Sequence, residues 1–173
     1  MLNTIIKTNY VKLQLATIDD ITILNKIYDE AMARYAFDPG YEITSPEVIL
    51  RKGALPLDST ITDSLIYCIC EDKRIIGYIE LYPGFPTKDN VYISLFYITE
   101  ANKNKTVSED ILLHLLAEFT NQSFKTISVS TSLKTWHDLA FWQGCGFDTI
   151  LSVEADPSHI NSSYGRVELQ YII

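Results

Sequence analysis

Alternation of apolar and polar positions marks the strands of this chain. Residues 11–17 (VKLQLAT) alternate with period two, which is typical of a half-buried strand. Six further runs rich in apolar, β-branched and aromatic residues predict strands at residues 64–71, 74–82, 91–98, 125–131, 147–155 and 164–172. Asp72 and Lys73 separate the first two of these runs and predict a hairpin.

The first two predicted helices lie between the first and second strands. Thr17 and Asp20 form a capping-box pattern, and helical spacing of apolar residues continues from there to about Tyr35. Pro46 follows Ser45 and suits the first position of a second helix, for which Gly53 is a plausible stop.

Two later helices complete the pattern. From residue 107 the period becomes helical, with one apolar face made of Val107, Ile111, Leu112, Leu115, Leu116 and Phe119. A shorter helix over residues 136–142 ends at Gly144. The order β-α-α-β-β-β-α-β-α-β-β predicts an α/β fold, with a mixed central sheet of about six to seven strands flanked by helices. Residues 1–173 contain no long linker and are expected to form a single domain.

Composition and charge narrow the function classes. A net charge of −8 argues against nucleic acid as a partner, because binding to phosphates needs clustered Lys and Arg, and it favours a cationic substrate such as an amine. No apolar run approaches the roughly 20 residues of a membrane span, and residues 1–10 do not resemble a secretory signal. Three cysteines without framework spacing fit a reducing compartment, so we expect a cytoplasmic protein.

Two motifs stand at matching places in the second half of the chain. The stretch KNKTVS (residues 103–108) joins the fourth predicted strand to its helix, and AFWQGCGF (residues 140–147) follows the fifth. Together with the element order, these motifs resemble the GNAT acyltransferase family over nearly the whole chain, and residues 76–98 resemble a bacterial subgroup of it. The family's loop, R/Q-x-x-G-x-G/A, falls on KNKTVS with both glycine positions substituted.

The resemblance implies acetyl-CoA as the cofactor and a set of residues that hold it. In relatives, the strand before the loop splays from its neighbour so that its backbone pairs with the pantetheine arm, while the loop and helix start hold the pyrophosphate. Carried over by position, the expected cofactor contacts are Phe96, Tyr97, Ile98, Lys103, Asn104, Lys105, Thr106, Val107, Ser108, Thr135 and Trp142.

The loop has two interpretations from its residues. Thr106 and Ser108 replace glycines that would let phosphate oxygens approach the backbone, although their hydroxyls can donate to phosphates, and the lysines add positive charge. Glu109 and Asp110 add negative charge in the first turn. The alternative is an ordinary helix start capped by Ser108 or Thr106.

The proton transfers have candidate groups with alternatives beside them. Glu80 is the expected general base, acting directly or through water; the alternative is a solvated carboxylate on an exposed face. In many relatives a Tyr that can protonate the departing thiolate stands where this chain has Trp142, and an indole is too weak an acid for that step. Water or Tyr97 is then the proton source, and Trp142 either packs against the cofactor or belongs to the core.

The remaining candidates concern the acceptor and metals. In relatives, the first helices form one wall of the acceptor site. The resemblance therefore makes four aromatic residues candidate substrate contacts, with core or lid residues as the alternative: Tyr28, Tyr35, Phe37 and Tyr41. Tyr82 is a further substrate candidate. Cys68 and Cys70 lie two apart on a strand and are expected to be small core side chains. No His or Cys spacing suits a metal, and no metal site is expected.

Two functions are carried forward. The first is an N-acetyltransferase that moves an acetyl group from acetyl-CoA to an amine of a small molecule or peptide, by direct attack in a ternary complex, since no activated nucleophile is visible. The second is a catalytically silent GNAT-fold module that binds a ligand or partner. The sequence excludes neither a monomer nor a homodimer.

Overall fold

The computed structural model describes residues 2–38, 43–52, 64–155 and 165–173. Within them the chain forms eight strands and four α-helices. In chain order these are β1 (Ile5–Lys7), β2 (Lys12–Leu15), α1 (Ile21–Tyr35), α2 (Pro46–Lys52), β3 (Leu65–Glu71), β4 (Arg74–Pro83), β5 (Asn90–Ile98), α3 (Lys105–Asn121), β6 (Thr126–Ser132), α4 (Trp136–Gly144), β7 (Thr149–Ala155) and β8 (Gly165–Ile172).

The strands form one mixed sheet in the order β1-β2-β3-β4-β5-β6-β8-β7. All neighbours are antiparallel except β5 and β6, which are parallel. The mixed α/β class is confirmed, with one strand more than the upper expectation. The additional strand is β1, whose three residues pair with β2 and are too few to show a readable alternation.

The predicted helix boundaries have identifiable physical causes. The Asp20 carboxylate accepts hydrogen bonds from the backbone N–H and the hydroxyl of Thr17, at 2.8 and 3.0 Å, in a short 3-10 turn that leads into α1. Pro46 is the first residue of α2, as predicted, because its missing N–H would have no partner there. Gly53, the expected stop of α2, lies outside the described residues.

Each face of the sheet packs against its own pair of helices. The face towards α3 and α4 is filled by residues that include Ile79, Ile111, Phe119 and Phe147. The face towards α1 and α2 is filled by residues that include Leu24, Ile27, Cys68, Cys70 and Tyr78. The two cysteines are buried small side chains of this second core, as predicted.

Two asparagines tie the N-terminal strands to α3. Glu118 accepts hydrogen bonds from the backbone N–H and the side-chain amide of Asn3, at 2.9 and 2.8 Å. Two helical turns earlier, Asp110 accepts the same pair of hydrogen bonds from Asn9. Asp110 is buried by this contact, so it serves the packing of α3 against the N-terminal segment rather than opposing charge at the helix start.

Candidate active site

A β-bulge in β5 opens the sheet between its two parallel strands. Glu80 of β4 pairs with Leu95, whereas the next residue, Leu81, pairs with Ile93, so that Ser94 is the extra residue. A bulge bends its strand and increases its twist. The parallel pairing of β5 with β6 ends at Ile93 and Val129, immediately before this point. The remainder of β5, from Ser94 to Ile98, therefore separates from β6.

Beside the separated end of β5 lies a cavity of about 520 Å³. Phe96, Tyr97 and Ile98 of β5 form one wall of this outer cavity, and the start of α3 contributes Lys103, Lys105 and Ser108. The rest of the lining comes from the end of α1 and the first half of α4: Arg34, Tyr35, His137, Asp138, Ala140 and Phe141. The structure thus brings together the strand edge and the loop that the sequence motifs singled out.

Cationic side chains gather at the mouth of the outer cavity. The guanidinium of Arg34 forms an ion pair with Glu100 and lies 3.6 Å from the Asp138 carboxylate. Lys103 lies 3.6 Å from the Glu100 carboxylate, and Lys105 lies 3.6 Å from that of Glu109. The two lysine pairs are about half exposed to solvent or more, so they are weak and can exchange partners, whereas Arg34 and Asp138 are mostly shielded.

Arg34, His137 and Asp138 were not among the candidates from sequence. Arg34 is part of no motif, and His137 and Asp138 precede the motif of α4; only the packing of α1 and α4 on either side of the splay brings them to one cavity. The acidic or basic character of a single helical residue is too common to have identified them.

The start of α3 is capped by Asn104. Its side-chain oxygen accepts hydrogen bonds from the backbone N–H groups of Thr106 and Val107, at 3.0 and 3.4 Å. The prediction of Ser108 or Thr106 as the cap was wrong, because the helix begins earlier, at Lys105, and the Ser108 hydroxyl instead donates to the Asn104 carbonyl oxygen. Two of the N–H groups at this helix start are therefore held by the chain itself.

A smaller cavity of about 70 Å³ lies deeper between the splayed strands. Ser94, Leu95 and Phe96 form its β5 side, and its other residues are Val129, Ser130, Thr131 and Ser132 of β6 with Tyr35, Asp138, Phe141 and Trp142. Tyr35 and Asp138 line both cavities, and the Tyr35 hydroxyl donates to the Asp138 carboxylate at 3.2 Å. This contact between α1 and α4 marks the boundary between the outer and inner cavities.

Of the two adjacent aromatic residues of α4, Trp142 lies mainly in the core and Phe141 lines the cavities. Trp142 is 6% exposed, and its ring packs at centroid distances of 5.0 Å from Phe147 and 6.2 Å from Phe96, with one edge at the inner cavity. Phe141 is half-buried and lines both cavities. Thr135 donates its hydroxyl to the carbonyl oxygen of Ser132 and is not among the residues that line either cavity.

Glu80 is fully buried on the face of the sheet that carries α1 and α2. The Tyr82 hydroxyl donates a hydrogen bond to Oε1, while Oε2 has no partner in full hydrogen-bond geometry among the described residues. Burial raises the pKa of this carboxyl from 4.5 to about 7, although interactions with the hydroxyls of Tyr82 and Ser94 oppose the rise. The alternative of a solvated, exposed carboxylate is wrong.

The Tyr97 hydroxyl forms a hydrogen bond with a second carboxylate, that of Glu30. This hydroxyl donates to Glu30 of α1 at 3.1 Å, and the same Glu30 oxygen accepts from the backbone N–H of Glu100 at 2.8 Å. Burial, followed by the interaction with Glu30, raises the pKa of Tyr97 well above its ordinary value. A tyrosine held in this way is a poorer proton donor than a free one.

The acceptor candidates do not form one group. Tyr35 lines both cavities, whereas the Tyr28 hydroxyl donates to the carbonyl oxygen of Ile43, near the start of α2, at 2.9 Å. Tyr82 is buried beside Glu80, and Phe37 is 44% exposed. Tyr41 lies outside the described residues.

Within the described part of the chain, no helix is long and apolar enough to cross a membrane. The same residues contain no cluster of three or more His, Cys, Asp or Glu side chains that could hold a metal ion.

An α/β sheet that splays between its parallel strands, with a helix start beside the opening, is the arrangement of one acyltransferase class. Residues 13–161 match the sequence model of the Acetyltransferase (GNAT) domain. The chain belongs to the GNAT acetyltransferase family. No curated protein matches it at a significant level.

Solved structures share this fold at low sequence identity. A probable GNAT acetyltransferase from Chromobacterium violaceum has a TM-score of 0.72 and 12% identity, over 98% of this chain and 86% of that one. An acetyltransferase from Salmonella typhimurium, which modifies the N-terminal serine of a 50S ribosomal subunit protein, has a TM-score of 0.72 and 15% identity, over 98% and 99% of the two chains. A Bacillus subtilis acetyltransferase in complex with CoA has a TM-score of 0.60 and 17% identity, over 96% and 99%. At these identities the similarity establishes the fold alone.

Proposed function

We propose that the protein transfers an acetyl group from acetyl-CoA to an amine of a small molecule or peptide, by direct attack within a ternary complex. The observation that carries this proposal is the separation of β5 from β6, which begins at the bulge at Ser94 and leaves one edge of β5 unpaired. Along this edge lie the outer cavity, whose lining includes cationic side chains, and the smaller inner cavity.

The residues of the outer cavity fit coenzyme A. The backbone of Phe96 to Ile98 has lost its β6 partner and can pair with the amides of a pantetheine arm, as an added strand would. Lys103 and Lys105, with Arg34 across the cavity, supply positive charge for phosphate groups. When bound, acetyl-CoA supplies an activated thioester.

The α3 start fits the pyrophosphate only after a local exchange. Asn104 holds the N–H groups of Thr106 and Val107, so a phosphate would have to replace its side-chain oxygen. Such an exchange is feasible because a charged phosphate accepts stronger hydrogen bonds than a neutral amide oxygen does.

Glu80 is the proposed proton acceptor for the attacking amine. A carboxyl with a pKa of about 7 is half ionised near neutral pH, which is the range in which a general base is most effective. For the departing thiolate we propose water as the proton source. Tyr97 donates to Glu30 and has a raised pKa, and Trp142 belongs mainly to the core.

A ligand-binding module without catalysis is the second candidate. The self-capped start of α3, without either glycine of the family's loop, favours it, because both features hinder the approach of a pyrophosphate. The buried carboxylate favours the enzyme, because a module that only binds would have no need of a Glu80 with a raised pKa.

Calorimetric titration with acetyl-CoA, followed by an acetylation assay on a panel of primary amines and short peptides, tests the proposal. We expect binding in the micromolar to millimolar range, faster turnover of cationic than of neutral amines, and a loss of kcat of at least about 100-fold in Glu80→Gln with CoA affinity unchanged. Binding of CoA without turnover of any amine would favour the module. If CoA did not bind at millimolar concentration, both the proposed cofactor and the proposed acetyltransferase function would be wrong.

A further inference from the structure

The proposed base does not reach the site by itself. Glu80 is fully buried and is not among the residues that line the outer or the inner cavity. A general base must lie within hydrogen-bond reach of the proton that it removes, or reach it through one intervening group. Some other group has to connect Glu80 with an amine in the cavity.

Ser94 occupies that intermediate position, at the bulge of β5. In the regular part of β5, Val91 and Ile93 face α3 and α4, yet beyond the bulge Leu95 and Tyr97 face α1 and α2. Alternation from Ile93 places Ser94 on the face on which Glu80 lies, and the bulge keeps Leu95 on that same face, so that these two consecutive residues lie beside Glu80. Ser94 is half-buried and lines the inner cavity.

The carboxyl group has one oxygen available for such a connection. Tyr82 donates to Oε1, and Oε2 lacks a fully formed hydrogen bond among the described residues although it is buried. A buried carboxylate oxygen without a donor is costly, and it is stabilised when a hydroxyl turns towards it. Ser94 is next to Glu80 on the neighbouring strand, where the register places Leu95 opposite Glu80.

We propose that the Ser94 hydroxyl is a proton relay between an amine in the inner cavity and the Oε2 atom of Glu80. The proposal rests on the acetyltransferase function proposed above. Ser94 is the group that touches the substrate, and Glu80 acts through it.

With this relay, every bond and proton of the acyl transfer is accounted for. The amine nitrogen forms a bond to the thioester carbonyl carbon, and the C–S bond breaks with its electron pair leaving on sulfur. One N–H proton passes to Oγ of Ser94, and the proton that Ser94 carried passes to Oε2 of Glu80. The thiolate takes a proton from water, and the hydroxide that remains is neutralised by the proton on Glu80, so that amide and free thiol are the net products.

The groups around Glu80 are neutral in the range in which it titrates. Tyr78 and Tyr82 of β4 and Tyr92 of β5 face the carboxyl, and burial raises the pKa of each. From α1, Tyr28 faces Tyr78. Loss of the Ser94 hydroxyl removes an interaction that lowers the pKa of Glu80, so this pKa should rise in its absence.

The decisive variant is Ser94→Ala, with Ser152→Ala as the matched control. Ser152 is also half-buried, lies beside a bulge and donates to a carboxylate on the neighbouring strand, that of Glu168 at 3.4 Å, but it stands in β7, outside both cavities. We expect Ser94→Ala to lower kcat at neutral pH by about 10-fold to 100-fold, with the KM for acetyl-CoA unchanged. The acid limb of its pH–kcat profile should move to higher pH. Ser152→Ala should behave as the wild type.

Two further measurements separate the relay from a structural role. Ser94→Thr keeps a hydroxyl and should recover most of the rate. A carbon-13 titration of the Glu80 carboxyl by NMR should show a higher pKa in Ser94→Ala than in the wild type, independently of turnover. An active wild type whose Ser94→Ala variant keeps its rate and its pH profile would remove only the relay. A wild type that binds no acetyl-CoA or acetylates no amine would remove the proposed function, and the relay with it.

Discussion

Glu80 is the side chain whose chemistry changes most when the chain folds. On an isolated strand its carboxyl would titrate near 4.5, whereas in the fully buried setting between β3 and β5 its pKa is about 7. The cause is desolvation, since the charged form loses water and gains only hydroxyl donors in return. A proton acceptor suited to neutral pH thus comes from position in the sheet and not from residue type.

This raised pKa predicts a pH-dependent stability. Between pH 4.5 and 7 the folded state binds more protons at Glu80 than the unfolded state does, so the free energy of unfolding falls as the pH rises through that window. The loss amounts to about 3 kcal/mol, because each tenfold difference in proton affinity between the two states corresponds to about 1.4 kcal/mol. Urea unfolding of the wild type and of Glu80→Gln across this range should show the wild type losing stability relative to the variant as the pH rises. A stability difference that is constant with pH would mean that the carboxyl titrates at its ordinary value.

At the start of α3, the proposed cofactor would compete with a hydrogen bond that stabilises the helix. Asn104 satisfies two N–H groups that a helix start leaves without partners inside the helix. These are groups that the family's loop is expected to present to pyrophosphate. Stability of the helix and affinity for the cofactor therefore make opposite demands on one side chain.

Asn104→Ala separates these two demands. We expect the free energy of unfolding to fall by about 1 kcal/mol through loss of the cap. CoA should bind about fivefold more tightly, because displacement of the side-chain oxygen no longer costs a hydrogen bond. Pantetheine, which lacks the pyrophosphate, should bind both forms equally well. Weaker CoA binding to the variant would instead mean that Asn104 holds the cofactor directly.

Across the whole molecule, the N-terminal edge of the sheet depends on α3. β1 has three residues and pairs only with β2 among the described strands, so it contributes few ladder hydrogen bonds of its own. The paired hydrogen bonds of Asn3 with Glu118 anchor the residues before β1, and the Tyr67 hydroxyl of β3 donates to the Asn3 carbonyl oxygen at 2.5 Å. A helix and two separated strands are thereby joined at one point.

Glu118→Gln tests this junction against a matched variant on the same helix. The glutamine keeps one acceptor but places an amide donor against the Asn3 donors, and we expect a loss of about 1–3 kcal/mol in the free energy of unfolding. Glu109→Gln changes a glutamate of α3 that forms only a surface ion pair, and should alter stability by less than about 0.5 kcal/mol. Equal effects of the two substitutions in urea unfolding would show that the junction contributes nothing.

Local patterns along the chain specify the elements and the faces that they bury. Periodicity located seven of the eight strands and three of the four helices within a few residues, because each apolar pattern reflects a face that has to leave water, and the cap residues at Ser45 and Pro46 located α2. The KNKTVS loop and the AFWQGCGF motif also indicated the family. These are local properties, which neighbouring residues along the chain fix.

The candidate site itself depends on how the strands and helices pack together. Strict alternation through residues 91–98 would have placed Ile93 and Leu95 on the same face, and the bulge at Ser94 puts them on opposite faces. A bulge depends on how two strands align, so one strand's sequence does not reveal it. The same holds for the meeting of Arg34 with Asp138 and for the burial of Glu80. Each arises only when segments that are distant along the chain pack together.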